Sequence, residues 1–133
     1  MIKHKEVKHL SVGINRAPDQ VYAYAGDPEN LPAWAAGLGS GISRAGEHWQ
    51  VDTPQGRLTL RFTEPNPYGV LDHTVVLAGG AEVHVPMRVL ANGEGSEVVL
   101  TLYRQPEMDD AAYARDIGMV ERDLATLKSL LER

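Results

Sequence analysis

The C-terminal end of the chain carries the pattern that most limits how the chain can fold. Apolar residues recur there at spacings of four, three, four, three and four, which places them on one stripe of a helix over Asp109–Arg133. The stripe consists of Tyr113, Ile117, Val120, Leu124, Leu127 and Leu131. A long amphipathic helix that follows a set of strands has to cover a sheet, because both elements have an apolar face to bury. We therefore expect a helix packed across a sheet, a geometry that can enclose a cavity.

Alternation of apolar and polar residues predicts a first strand over Glu6–Asn15 and, after Gly41, about six antiparallel strands. These later strands are Ile42–Arg44, Glu47–Thr53, Arg57–Glu64, Val70–Leu77, Ala81–Leu90 and Glu97–Arg104. Pro86 lies inside Ala81–Leu90 and weakens that strand locally, because proline removes a donor from the ladder. The connections are short, with turn signals at Pro54-Gln55-Gly56 and Asn92-Gly93-Glu94-Gly95, so neighbours in sequence should be neighbours in the sheet.

Two short helices are expected between the first strand and the rest. Pro18 suits the first turn of one helix, which ends near Gly26. The second is expected over Pro28–Ala36, and Gly37, Gly39 and Gly41 then form a flexible passage. Asp109 or Asp110 should cap the final long helix, because an acidic side chain is favoured at a helix N-terminus.

Composition excludes several classes of function. The 133 residues are most simply one domain over 1–133. The chain has no cysteine, so a disulfide, a thiolate metal site or a cysteine nucleophile is impossible. A net charge of −5 argues against a nucleic-acid partner. No apolar run approaches the ~20 residues of a membrane span, and no signal peptide is visible, so we expect a cytoplasmic protein.

Motifs for metal, phosphate or serine-nucleophile chemistry are missing from the sequence. The histidines lack the close helical spacing of a zinc motif; they are His4, His9, His48, His73 and His84. The glycines after residue 36 are not followed by the Lys-Ser/Thr pair of a phosphate-binding loop, and no Gly-x-Ser-x-Gly elbow occurs. We therefore expect neither a metal nor a cofactor.

Four segments resemble the START-like, or Bet v 1-like, superfamily (SRPBCC), in particular its polyketide cyclase/dehydratase and lipid-transport family. Val12–Tyr22 (VGINRAPDQVY) is similar to the strand-to-helix opening of that family, and Asp27–Trp34 (DPENLPAW) to its D-P-E-x-L-P-x-W segment. Val85–Val89 (VPMRV) and Glu121–Lys128 (ERDLATLK) are similar to segments of small uncharacterised bacterial members. The resemblance covers nearly the whole chain and is specific for the fold more than for the function.

The resemblance implies an α+β helix-grip fold, in which a curved antiparallel sheet of about seven strands wraps around the C-terminal helix. It also implies a cavity between sheet and helix, with Trp34 near its mouth. Parity along the predicted strands and the helix stripe then indicates which side chains face the ligand. The predicted ligand-binding residues are Trp34, Trp49, Leu60, Phe62, His73, Val85, Met87, Leu102, Arg104, Asp116 and Val120.

Two of these residues are candidates for catalysis. His73 shares its face with Leu71 and Val75 and could act as an acid, a base or a ligand anchor. It could equally be a core histidine whose ring is satisfied by a neighbour. Arg104 could bind a carboxylate or enolate oxygen of a ligand, or it could form a structural ion pair with Asp116 that locks the helix to the sheet.

The tryptophans have two interpretations as well. Trp34 and Trp49 could stack on a flat aromatic ligand, or they could be ordinary packing residues of the core and the lid.

Three functions are compatible with these features. The first is a binding protein for a small hydrophobic or aromatic molecule, supported by the apolar lining. The second is a cyclase, aromatase or dehydratase, with His73 as acid or base and Arg104 polarising a carbonyl. The third is an interaction module that resembles chaperone activators of the same fold, which would need an exposed apolar patch outside the cavity. Homodimers occur in such folds, and nothing in the sequence specifies a two-fold interface.

Overall fold

The computed structural model describes residues 3–35, 41–54 and 56–133. Within these ranges the chain forms eight strands and three α-helices. The strands are β1 (Val7–Ile14), β2 (Ile42–Ala45), β3 (His48–Thr53), β4 (Gly56–Phe62), β5 (His73–Val76), β6 (Glu82–Val85), β7 (Met87–Asn92) and β8 (Gly95–Tyr103). The helices are α1 (Pro18–Ala25), α2 (Leu31–Trp34), which follows a 3₁₀ turn at Pro28–Asn30, and α3 (Asp110–Leu131).

The strands form two antiparallel sheets. One has the order β2-β3-β4-β5-β6, and the other has the order β1-β8-β7. The expectation that sequence neighbours pair is confirmed from β2 to β6 and between β7 and β8. It does not extend to β1, which pairs with β8 in a register that places Leu10 opposite Leu100.

Pro86 is the reason that a single predicted strand, Ala81–Leu90, is two strands in the structure. Proline has no N–H to donate, so the ladder is interrupted between β6 and β7. The Pro86 carbonyl still accepts a hydrogen bond from the Thr101 N–H (2.9 Å), and the Leu71 N–H donates to the Met87 carbonyl (2.9 Å). The corner therefore joins the two sheets, and the expected strand count of about seven becomes eight.

Helix α3 agrees with its prediction. Asp109 is the N-cap, and its carboxylate accepts a hydrogen bond from the Ala112 N–H at 2.8 Å. The predicted stripe faces the core: Leu127 is fully buried and Leu124 is 2% exposed. Tyr113 is also buried, and its hydroxyl donates to the Leu102 carbonyl at 3.1 Å. None of the described helices is long and apolar enough to cross a membrane.

The C-terminal end of α3 is held against the end of β1. The Lys128 ammonium donates to the Gly13 carbonyl (2.7 Å), and the Glu132 carboxylate accepts the Asn15 N–H (2.8 Å). Lys128 and Glu132 also contact each other at 2.7 Å, and this contact is the main reason that the pKa of Glu132 is lowered. Bonds near both ends of α3 thus fix its path across the sheets.

The short helices begin where proline and an acidic cap allow. Pro18 is at the first position of α1, and Asp27 accepts a hydrogen bond from the Glu29 N–H (3.0 Å) at the 3₁₀ turn. The predicted second helix, Pro28–Ala36, is a 3₁₀ turn followed by the single α-helical turn of α2. Ala36, Gly37 and Gly39 lie outside the described residues, as does Gln55 of the predicted turn.

Candidate functional site

A cavity of about 380 Å³ lies between the sheets, α2 and α3. This volume is within the range of small-molecule pockets, roughly 300–1,000 Å³. The sheets contribute mainly apolar side chains, because successive strand residues alternate between the two faces. Those from β4 to β6 are Leu58, Phe62, Val75, Val83 and Val85. The space between sheet and helix is therefore partly open rather than filled by side chains.

The structure brings most of the predicted ligand-binding residues to this cavity. The predicted residues that do line the cavity are Trp34, Phe62, His73, Val85, Met87, Leu102, Asp116 and Val120. Their contact with a ligand stays a prediction, but their common location is as expected. Trp49, Leu60 and Arg104 are not among the lining residues.

Leu60 and Trp49 have the expected inward parity and lie outside the cavity wall for a packing reason. They are directly opposite each other on β4 and β3. Leu60 is 1% exposed and belongs to the buried core without lining the cavity. Trp49 packs against the same core and lies under the Arg44 guanidinium, whose carbon is 5.6 Å from the ring centroid. Strand parity therefore identifies residues of the core, but it does not identify which of them border the cavity.

The expected ion pair between Arg104 and Asp116 is wrong. The Arg104 guanidinium instead donates to the Met108 carbonyl (2.9 and 3.1 Å) and to the carboxylates of Glu6 (3.2 Å) and Asp110 (2.9 Å). β8 ends at Tyr103, and the acceptors of the loop that leads into α3 capture the guanidinium. These contacts tie Arg104 to this connection, and Arg104 does not line the cavity.

Tyr103, the neighbour of Arg104, departs from strand alternation. Leu102 lines the cavity, so strict alternation would turn Tyr103 to the opposite face, yet Tyr103 lines the cavity as well, together with Gln105 and Met108. Parity fails here because the strand ends and the chain turns toward α3. Glu107, in the loop between β8 and α3, also lines the cavity and is exposed. Met119 of α3 also lines the cavity and is 37% exposed, so these two residues lie where the cavity reaches solvent.

His73 is a polar group of the sheet wall. A distance of 3.0 Å separates its Nδ1 from the Leu71 carbonyl oxygen. A carbonyl oxygen only accepts, so Nδ1 carries the hydrogen and Nε2 is the acceptor of the neutral ring. Burial lowers the pKa of His73, although the Leu71 bond and the Asp72 charge act in the opposite direction. The ring packs beside Phe62, with 5.5 Å between the ring centroids.

Helix α3 presents two acidic residues to the cavity. Asp116, Met119, Val120, Asp123 and Leu124 line it at positions i, i+3, i+4, i+7 and i+8, which is one helix face. This face is rotated from the predicted apolar stripe, so reading the stripe alone misses Met119 and Asp123. Burial raises the pKa of the Asp116 carboxyl, and the Arg115 charge opposes that shift.

Trp34 is a buried part of the cavity wall rather than a mouth residue. It is 6% exposed, and its Nε1 has no hydrogen-bond partner among the described residues.

Within the described residues, no three His, Asp or Glu side chains lie close enough together to hold a metal ion.

Solved structures with the same fold support the architecture. An uncharacterised protein from Bacillus thuringiensis superposes with a TM-score of 0.76 at 16% identity, over 95% of this chain and 98% of that chain. The Aha1 dimer from Colwellia psychrerythraea gives 0.70 at 18% identity, over 96% of each chain. DynU16, a protein of the dynemicin biosynthetic locus, gives 0.68 at 18% identity, over 97% of this chain and 48% of that chain. At these identities the likeness concerns the fold alone.

The sequence comparison concerns nearly the whole chain. No curated protein matches the sequence. Residues 9–132 match the family described as polyketide cyclase/dehydrase and lipid transport. The resemblance to this family is thereby confirmed, and the chain belongs to the polyketide cyclase/dehydrase and lipid transport family, with a helix-grip fold.

Proposed function

We propose that this chain binds a small apolar or aromatic molecule in the cavity between the sheets and α3. The observation that carries the proposal is the open volume of about 380 Å³ behind a wall of apolar side chains. Protein interiors are close-packed, and an unfilled apolar space of this size forgoes the dispersion contacts of its lining. A ligand of matching shape would regain those contacts.

His73 would orient such a ligand. Because its Nδ1–H is bound to the Leu71 carbonyl, the neutral ring has only Nε2 to offer, and Nε2 accepts. A ligand hydroxyl or N–H would therefore be favoured next to Phe62 and His73. The remaining sheet wall discriminates by shape, as is usual in pockets with few polar groups.

Adjacent valines on β5 provide a matched test. Val75 lines the cavity, whereas Val76 does not. Binding of the uncharged dye N-phenyl-1-naphthylamine is followed by fluorescence. Val75→Phe should weaken it by on the order of tenfold, and Val76→Phe should change it by less than about twofold. Circular dichroism verifies that both variants fold.

Two results would reject the binding function. One is equal dye affinity in Val75→Phe and Val76→Phe, which places the dye outside the cavity. The other is no dye binding by the unmodified protein at any accessible concentration. Native mass spectrometry of the purified protein supplies an independent readout, since a copurifying small molecule that is lost in Val75→Phe supports the proposal.

An enzymatic role is the second candidate, and the His73 geometry is what favours it. The cyclase-type pair of His73 and Arg104 is not assembled in the cavity, because His73 lines it and Arg104 does not. A base role for His73 alone remains, in which Nε2 takes a proton from a carbon next to a ligand carbonyl. Deuterium exchange at the methyl group of 2-acetylnaphthalene, followed by proton NMR in heavy water, tests it. If the unmodified protein exchanges these methyl protons no faster than His73→Gln does, the base role of His73 is rejected.

The interaction-module alternative stays a prediction with one supporting feature. Tyr68 is 79% exposed and Leu90 is 45% exposed. Both lie in a shallow groove outside the cavity, next to Tyr22 and Asn66. Sedimentation of the protein and of Tyr68→Ser would show whether this surface supports a homodimer, which would dissociate in the variant.

A further inference from the structure

The charged groups that line the cavity are all of one sign. Glu107, Asp116 and Asp123 line it, and no lysine or arginine does so in the part of the chain that the structure describes. The undescribed residues 36–40, which follow the lining residue Ala35, have the sequence AGLGS and carry no ionisable side chain. A ligand in this cavity therefore meets carboxylates and a histidine whose pKa is lowered by burial. An anionic ligand would find no lysine or arginine among the described lining residues to pair with.

Arg115 and Arg122, which adjoin Asp116 and Asp123 on α3, are exposed and do not line the cavity. Three other arginines next to lining residues in sequence are held by carboxylates that do not line the cavity either. Arg104 is bound by the acceptors of the loop before α3. Arg61 pairs with Glu82, and Arg88 pairs with Asp72. A ligand anion could recruit one of these guanidinium groups only by breaking its existing contacts.

Asp116 is a carboxylate of the cavity wall on which the charge of its chain neighbour Arg115 acts without forming an ion pair. No hydrogen bond or ion pair joins its side chain to another described residue, and it is half-buried on the helix face that borders the cavity. Its charge acts across an apolar space, where the effective dielectric constant is lower than in water. An anion in that space is repelled, whereas a neutral group is not and a protonated amine is attracted.

We propose that the cavity admits uncharged or amine-bearing aromatic ligands and rejects anions such as carboxylates and sulfonates. This inference rests on the binding function proposed above and deepens it by naming the ligand class. It separates the protein from carriers that neutralise an acidic ligand with a lysine or an arginine. The determinant is Asp116, with Asp123 and Glu107 adding charge of the same sign.

The test uses two dyes with the same ring frame. N-phenyl-1-naphthylamine is uncharged, and 8-anilinonaphthalene-1-sulfonate carries one sulfonate. Their dissociation constants are measured by fluorescence for the unmodified protein, for Asp116→Asn and for Glu121→Gln. Glu121 is an exposed residue of α3 that does not line the cavity. Glu121→Gln therefore changes the net charge as Asp116→Asn does, but outside the cavity.

The expected result is a change in the ratio of the two affinities. Asp116→Asn should raise the affinity for the sulfonate relative to the uncharged dye by on the order of tenfold, and Glu121→Gln should leave the ratio within about twofold. An equal ratio in all three proteins overturns the inference while leaving the binding function intact. Failure of the uncharged dye to bind any of them rejects the binding function itself. Should Asp116→Asn not fold, Asp123→Asn replaces it with the same expected direction.

Discussion

Replacing Gly69 by alanine should destabilise the protein far more than the same change at Gly93. Both glycines have left-handed backbone conformations, with φ of +70° at Gly69 and +59° at Gly93. The space around them differs. A Cβ on Gly69 would overlap the carbonyl oxygen of Val89 and lie 3.3 Å from its carbonyl carbon, whereas a Cβ on Gly93 would meet nothing within 4 Å. The pair therefore separates backbone conformation from steric fit.

The magnitudes follow from these differences. A left-handed alanine costs about 1–2 kcal/mol at either site, offset by about 0.4–1 kcal/mol of lost entropy in the unfolded chain. At Gly69 the backbone must also move away from Val89, which disrupts the 2.9 Å bond from the Val89 N–H to the Gly69 carbonyl. Leaving such groups unpaired costs about 1–3 kcal/mol more. We expect roughly 2–4 kcal/mol for Gly69→Ala and about 1 kcal/mol for Gly93→Ala.

Urea denaturation followed by circular dichroism measures both values. With a slope of about 2 kcal/mol per molar urea, the midpoint of Gly69→Ala should lie about 1 M below that of Gly93→Ala. Midpoints within about 0.3 M of each other would refute the packing of Gly69 against β7. A lower midpoint for Gly93→Ala would refute the steric argument altogether.

Three further predictions concern α3 and the cavity wall. Asp109→Ala should cost about 1 kcal/mol in urea denaturation, because the Ala112 N–H loses its cap; no loss would contradict the capping geometry. Leu127→Ala should cost about 2–5 kcal/mol, because the side chain is fully buried in the core; a loss below about 1 kcal/mol would contradict close packing there. Between pH 7 and pH 5.5 the protein should lose stability relative to His73→Phe by up to about 1.4 kcal/mol per pH unit; parallel pH profiles would show that His73 titrates normally.

The direction of the pH effect follows from the lowered pKa of His73. The unfolded chain takes up a proton on this ring near pH 6.5, while the folded protein takes it up only at lower pH. The folded state is therefore disfavoured as pH falls through that window. Asp116, whose pKa is raised, gains a proton more readily when folded, and Glu132, whose pKa is lowered, holds its charge to lower pH. Both act in the acidic range of carboxyls and cancel in the comparison with His73→Phe.

Local periodicity was sufficient for most of the fold. The helix beginning at Asp109 and the alternating faces of β4 and β8 follow from spacings within one segment, and the structure confirms them. The division of Ala81–Leu90 at Pro86 was visible as a weakness of that strand. That this point is a corner between two sheets could not be read locally, because it depends on the bonds to Leu71 and Thr101.

The candidate site was predictable to a similar degree. Inward parity assigned both His73 and Phe62 to the wall. The structure adds that they are directly opposite each other on β5 and β4, with 5.5 Å between the ring centroids. Parity failed at Tyr103 and Arg104, where the strand ends and the acceptors of the next loop decide the direction of each side chain. On α3 the predicted Asp116 and Val120 line the cavity, whereas Met119 and Asp123 line it without having been predicted, because the cavity face is rotated from the apolar stripe.

Residue spacing along the chain is enough to predict the long C-terminal helix, the strands before it and the apolar face of each element. These properties depend on spacings of two to four residues and need no distant partner. Two properties cannot be predicted from such spacings: whether the apolar space beneath α3 is filled or open, and whether Arg104 borders it. Those outcomes depend on contacts across the chain, such as Leu10 with Leu100 and Arg104 with Glu6. The same stripe on α3 would cover a filled core or a cavity, because burial of the helix requires an apolar face in either case.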